Sequence, residues 1–121
     1  MRKIIIDTDT ATDDAVAIIM ALKNDSFNIK AITTVAGNVD LNQATSNALY
    51  TCEICDKFVP VYKGESHPLK RKLETSKFFH GKDGLGDTGP YEPSKKAEAE
   101  NATNQIISLI NKYPNEIEII A

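Results

Sequence analysis

Apolar residues follow two rhythms along this chain, and the changes between them mark its elements. Ile4, Ile5 and Ile6 form a short, uninterrupted β-branched run, as a buried strand does. Ala15, Ile18, Ile19 and Leu22 recur at helical spacing, which predicts a helix starting near Thr12 as N-cap. After the polar turn Lys23-Asn24-Asp25-Ser26, a second strand lies within Phe27 to Val35. Ala36-Gly37-Asn38-Val39 breaks it, and Gly37 permits close backbone approach or an unusual φ. A second helix is expected from about Asp40, which with Gln43 approximates a capping box. Its inner stripe is Leu41, Ala44, Ala48 and either Ile54 or Cys55. Val59 to Tyr62 reads as a short third strand, Ala97 to Tyr113 as a helix, and Ile117 onward as a closing strand. Between them, Lys63 to about Lys96 shows little periodicity.

Strands alternating with helices predict an α/β fold, a Rossmann-like open and mostly parallel sheet with flanking helices and right-handed crossovers. The turn after the first strand contains no glycine, which disfavours a dinucleotide fingerprint or a P-loop. No internal repeat or domain boundary is visible, and the 121 residues read as part of one domain. A content of 41% hydrophobic and 26% charged residues is globular. A formal charge of -3 gives no reason to expect nucleic acid or an anionic membrane as partner. No apolar run approaches the roughly 20 residues of a membrane span. The N-terminus enters a strand directly and leaves no room for a signal peptide, so the expected compartment is cytoplasmic. Cys52 and Cys55 form a Cys-x-x-Cys late in a predicted helix, without a second pair to complete a zinc site, and are expected at ordinary packing or surface positions. Ile117, Ile119 and Ile120 build a strand that stops at Ala121 without turn or tail, so a chain cut short at its C-terminus is expected.

Candidate chemistry gathers after the first strand. Asp7 and Asp9 stand at its C-terminal end, and Asp13 and Asp14 in the first turn of the helix. In an open α/β sheet that edge is where ligands bind. Acidic residues in a first helical turn also offset the helix dipole, so Asp13 and Asp14 alone would be explained as capping. Four carboxylates in so short a stretch call for a positive partner, and a hard oxygen-seeking cation, Ca²⁺ or Mg²⁺, suits them. An EF-hand does not fit, because Ala11, Thr12 and Ile18 fall where its loop, counted from Asp7, needs an oxygen ligand, glycine and glutamate. The haloacid-dehalogenase phosphatase signature begins well with Asp7 and Asp9 but finds Ala11 at its last position. Asn38 lies at the same sheet edge and can donate and accept to sugar hydroxyls, although asparagine after glycine is also a common turn residue. In the aperiodic stretch, His80 could line a pocket beneath a glycine-flanked mobile loop, or be solvated. His67, before Pro68, and the basic run Lys70-Arg71-Lys72 read as exposed.

Three strings together resemble the inosine–uridine preferring nucleoside hydrolase family: Asp7-Thr8-Asp9 with Asp13-Asp14-Ala15, Thr33 to Val39, and His80-Gly81-Lys82-Asp83-Gly84-Leu85-Gly86. One departure is Thr10-Ala11, where the family usually carries Pro-Gly. The resemblance implies Ca²⁺-dependent hydrolysis of the N-glycosidic bond of ribonucleosides through an oxocarbenium-like transition state. It implies Asp9 as calcium ligand and general base, Asp14 as a second ligand, Asp13 and Asn38 on the ribose hydroxyls, and His80 facing the nucleobase region. Asp7 would be a supporting carboxylate that orients its neighbours. The chain would be the N-terminal portion of a single nucleoside hydrolase domain, with further ligands and a leaving-group histidine beyond Ala121. The full-length protein would be a homo-oligomer, dimer or tetramer. Two alternatives stand beside this reading. One is a Mg²⁺-dependent phosphatase using Asp7 as nucleophile; the other is a non-catalytic ribose- or metal-binding relative.

Overall fold

The computed structural model describes residues 1–121. Its elements are β1 (Arg2–Thr8), α1 (Thr12–Leu22), β2 (Phe27–Thr34), α2 (Leu41–Ile54), β3 (Val61–Lys63), α3 (Lys77–His80), α4 (Ala102–Lys112) and β4 (Ile117–Ile120). The strands form one sheet in the order β3-β2-β1-β4, and every neighbouring pair is parallel. The expected α/β architecture is therefore present. Successive strands step outward from β1 to β3, and β4 then returns to the other side of β1. The C-terminal end of β1 thus lies at a point where the strand order reverses, the place where open sheets of this kind hold ligands.

The isoleucine run is buried on both faces of the sheet. Ile4 and Ile6 face the larger core, with Ile18, Leu22, Ile32, Ala48 and Val61, while Ile5 faces a smaller one with Ala31 and Leu109. Burying each such side chain is worth roughly 1.5–3 kcal/mol, so this central strand is the firmest support available to the residues that follow it. β4 forms an edge beside β1, and Ile119 and Ile120 on it are substantially exposed. No helix is long and apolar enough to cross a membrane.

Boundaries moved where polar groups decide them. Thr12 is the first helical residue of α1 and not its N-cap; that position falls to Ala11, which has no capping side chain, and Asp14 Oδ2 instead accepts from the Ala11 amide at 3.2 Å. Asp40 caps α2 as expected, accepting from the Gln43 amide at 2.9 Å, but the Gln43 side chain turns forward to Asn47 and leaves the box half made. Cys55, not Ile54, completes the inner stripe. The third strand starts at Val61, because Pro60 offers its carbonyl to Ile32 but has no N–H for the ladder. α4 starts at Ala102, later than Ala97, where the Asn101 side chain caps it on the Thr103 and Asn104 amides. One short helix, α3, interrupts the aperiodic stretch.

Candidate active site

Parallel pairing sets Asp7 opposite Thr33, whose hydroxyl donates to Asp7 Oδ1 at 2.6 Å. Asp9 lies past the end of β1, where its Oδ2 accepts from the backbone N–H of Asn38 at 2.8 Å. That approach requires glycine beforehand: a Cβ on Gly37 would fall 2.8 Å from Asp9 Cβ. The Thr10-Ala11 turn is wholly buried, with the Thr8 and Thr10 hydroxyls 3.2 Å apart and Ala11 at φ -119°, a value any residue adopts. The turn therefore keeps the aspartates in place without Pro-Gly.

Burial raises the Asp14 carboxyl above its ordinary range; the Ala11 amide opposes that, while the charges of Asp9 and Asp13 and a hydrogen bond with Asp9 add to it. Asp9, Asp13 and Asp14 thus share one field, with Asp13 exposed on the first turn of α1. The four carboxylates do not form one ready-made cluster. Asp7 is engaged by Thr33, and no group of three or more His, Cys, Asp or Glu side chains stands ready-made around a metal position. What the chain offers a hard cation is the Asp9–Asp14 pair. Its chemistry fits, since both are oxygen donors and a cation would relieve their mutual repulsion, but Ca²⁺ takes six to eight oxygens. A small cleft of about 70 Å³ opens beside Asp14, lined also by Asp7, Thr8 and Ile120 among others.

Asn38 does more through its backbone than expected. Besides its N–H to Asp9, its carbonyl accepts from the Ser76 amide at 2.8 Å and its Oδ1 from the Ser76 hydroxyl at 2.7 Å. His80 ends α3, and its Nδ1 lies 2.8 Å from the Thr12 hydroxyl, so the histidine stands against the start of the aspartate helix. The following loop is a compact unit. Burial works to raise the Asp83 carboxyl, but the Leu85, Asp87 and Gly89 amides outweigh it and hold the group below its usual range. Structure therefore brings Asp9, Asp13, Asp14, Asn38 and His80 to one rim, with Asp7 just beneath. Sequence reasoning missed the groups that hold them: Thr12, Thr33, Ser76 and Asn47. Strand register alone would have found Thr33; Ser76 lies in a stretch with no periodic signal.

Fold and site define a Rossmann-like α/β unit with an acidic, oxygen-donating site at the switch point of its sheet. The model of the family described as inosine-uridine preferring nucleoside hydrolase matches residues 4–121, and the chain belongs to that family. It is 43% identical over 122 residues to uridine nucleosidase 1 of Arabidopsis thaliana, covering 99% of this chain and 36% of that protein. To the pyrimidine-specific ribonucleoside hydrolase RihB of Escherichia coli (strain SE11) it is 37% identical over 120 residues, covering 98% and 38%. Among solved structures, a purine-preferring ribonucleoside hydrolase from Gardnerella vaginalis superposes with a TM-score of 0.91 at 36% identity, over 98% of this chain and 39% of that one. The plant nucleoside hydrolase PpNRh1 gives 0.90 at 40% identity, over 98% and 38%. The chain thus spans just over a third of the length of the relatives it matches.

Proposed function

We propose that this chain supplies the metal- and ribose-binding part of a calcium-dependent nucleoside hydrolase, which cleaves ribonucleosides to free base and ribose. The observation that carries the reading is Asp9, fixed by the Asn38 amide at 2.8 Å and standing within hydrogen-bond reach of Asp14 at the switch point of the sheet. Relatives named for uridine, for pyrimidine ribonucleosides and for purine ribonucleosides support the reaction class and leave the base open.

In this mechanism Asp9 and Asp14 would hold Ca²⁺, which when bound would supply positive charge that acidifies nearby water. Asp9 accepts a proton from the attacking water as that water's oxygen bonds to the anomeric carbon. The bond from that carbon to the base nitrogen breaks with its electron pair, which stays with the departing base. Because the Asn38 N–H occupies one lobe of Asp9 Oδ2, the carboxylate cannot rotate freely and its remaining lone pairs stay aimed. Asp13, exposed beside it, and Asn38 take the ribose hydroxyls. His80 faces the base, and Asp7, tied to Thr33, stiffens the end of β1.

The test is release of ribose from inosine and uridine by the intact protein, set against phosphate release from a generic phosphoester. Excess EGTA is expected to abolish turnover and lower the melting temperature, because a bound ion stabilises by about 2.7 kcal/mol at a hundred times its Kd. An unchanged Tm and rate would remove calcium from the mechanism, and ribose binding without turnover would make the protein a non-catalytic relative.

A further inference from the structure

Asn47 is an odd residue for its position. It sits in the interior of α2 at 2% exposure, although asparagine is a weak helix former and a buried amide is costly unless fully bonded. Its side chain is fully bonded. One Nδ2 hydrogen goes to the Thr10 carbonyl at 3.0 Å, the other to the Asp83 carbonyl at 2.7 Å, and Oδ1 accepts from Gln43 Nε2 at 3.0 Å. An asparagine serving only its own helix would bond to a neighbouring turn. Both donors of Asn47 leave the helix and end on two different segments of the site.

We propose that Asn47 is a positioning residue that registers the His80 loop against the aspartate turn, so that the two halves of the site act on one substrate. Thr10 lies between Asp9 and Ala11, so its carbonyl orientation fixes the direction in which the turn presents Asp9. Asp83 belongs to a loop tied together internally, because its carboxylate gathers the Leu85, Asp87 and Gly89 amides and the Gly86 amide bonds back to the His80 carbonyl at 2.7 Å. Holding the Asp83 carbonyl therefore holds His80. Gly84 confirms how closely the loop is seated: a Cβ there would fall 2.9 Å from Val39 Cγ1 and 3.1 Å from Asn47 Nδ2, at φ +76°. Of the other links between the two segments, Thr12 to His80 is exposed and open to competition from water, and the path from Asp9 through Asn38 to Ser76 is only part-buried. Asn47 is the buried link.

The proposal rests on the nucleoside hydrolase reading for its catalytic consequence, and its test separates the two. In the intact protein, Asn47→Ala is expected to speed amide exchange at Gly84 and Gly86 by roughly tenfold, as loss of buried hydrogen bonds would, while α4 amides keep their protection. That measurement needs no substrate. In a double-mutant cycle on kcat/KM, Asn47→Ala and His80→Ala are expected to fall short of the product of their separate losses by about fivefold or more, because one acts through the other. Should Asn47→Ala fail to fold, Gly84→Ala displaces the loop from its own side with α2 intact, and the same exchange and coupling pattern is expected. Unchanged exchange in the loop, loosening spread equally over α4, or multiplicative losses in the cycle would each overturn the role. Wild-type protein that releases no ribose would instead overturn the functional reading, with the exchange result still deciding whether Asn47 registers the loop.

Discussion

The two rims of the sheet differ in a way that separates chemistry from space. The larger cavity, about 380 Å³, lies at the rim where β3 begins, between the end of α2 and residues 94–98. Its charges offset one another, Lys57, Lys95 and Lys96 standing among Glu53, Asp56 and Glu98, and Lys95 lies over the Phe58 ring. The opposite rim encloses little volume but partly buries Asp14, and this burial with the nearby Asp9 and Asp13 raises its carboxyl, while a backbone amide is aimed at Asp9. Strand C-termini end in loops held by a rigid β1, whereas the far rim is a gap between helix end and loop. The candidate chemistry lies at the strand ends, not at the larger void.

The sharpest way to test that contrast is one substitution on each rim. Asp9→Asn is expected to lower kcat by about 10²–10⁴ at saturating calcium with little change in KM, as loss of a general base does. Phe58→Ala, in the larger cavity, is expected to leave both constants within about twofold, as remote surface changes usually do. Steady-state ribose release by the intact protein checks both, and a large loss in the Phe58 variant would reverse the assignment of rims.

A smaller effect is expected at Asn38. Asn38→Ala keeps the backbone amide on Asp9 but removes the side chain, so ribonucleosides should lose roughly tenfold in kcat/KM, about the worth of one hydrogen bond. Substrates lacking the contacted hydroxyl should lose less. Equal losses across all sugars would place Asn38 among the supports of the Ser76 segment, whose hydroxyl its Oδ1 accepts at 2.7 Å.

Much of this contrast is legible in the residue order. The Ile4–Ile6 run, the aspartates behind it and the Asp40 cap follow from local rules of burial, strand ends and orphan amides. What the order could not reveal is long-range. Thr12 to His80 and Asn47 to Asp83 join residues far apart in the chain, through single hydrogen bonds that leave no periodic trace. The partner of Asp7 was hidden for the same reason, because the Thr33 hydroxyl that bonds it comes from another strand. The late start of α4 reflects local competition, in which the Asn101 cap prevailed over the helix-favouring residues before it.

Acid should loosen the Asp83 loop. Asp83 has a folded pKa below its ordinary value, so its contribution to loop stability is fully present above the unfolded value, near 3.9, and is lost as pH falls through the lower folded one. Amide exchange at Leu85, Asp87 and Gly89, corrected for intrinsic rates, should rise across that window, and Asp83→Asn should produce part of the same loosening at neutral pH. Protection that stays flat on acidification would show that the three amides do not depend on the carboxylate.

The smallest effect is expected at the far rim, where Cys52 lines the larger cavity. Burial, and then the neighbouring Cys55, pushes its thiol up to about 11, and neither cysteine is paired in a disulfide. A reactive cysteine needs an exposed thiolate; at pH 8 a thiol with that pKa should alkylate roughly a hundredfold more slowly than an ordinary one near 8.5. Cys52→Ala should cost about 1 kcal/mol of stability, through a small core cavity, and leave kcat/KM unchanged. Iodoacetamide labelling followed by mass spectrometry, with ribose release measured on the same sample, distinguishes the cases. Rapid labelling of Cys52 accompanied by loss of turnover would mean that the far rim opens and communicates with the aspartates, and the division of labour between the two rims would fail.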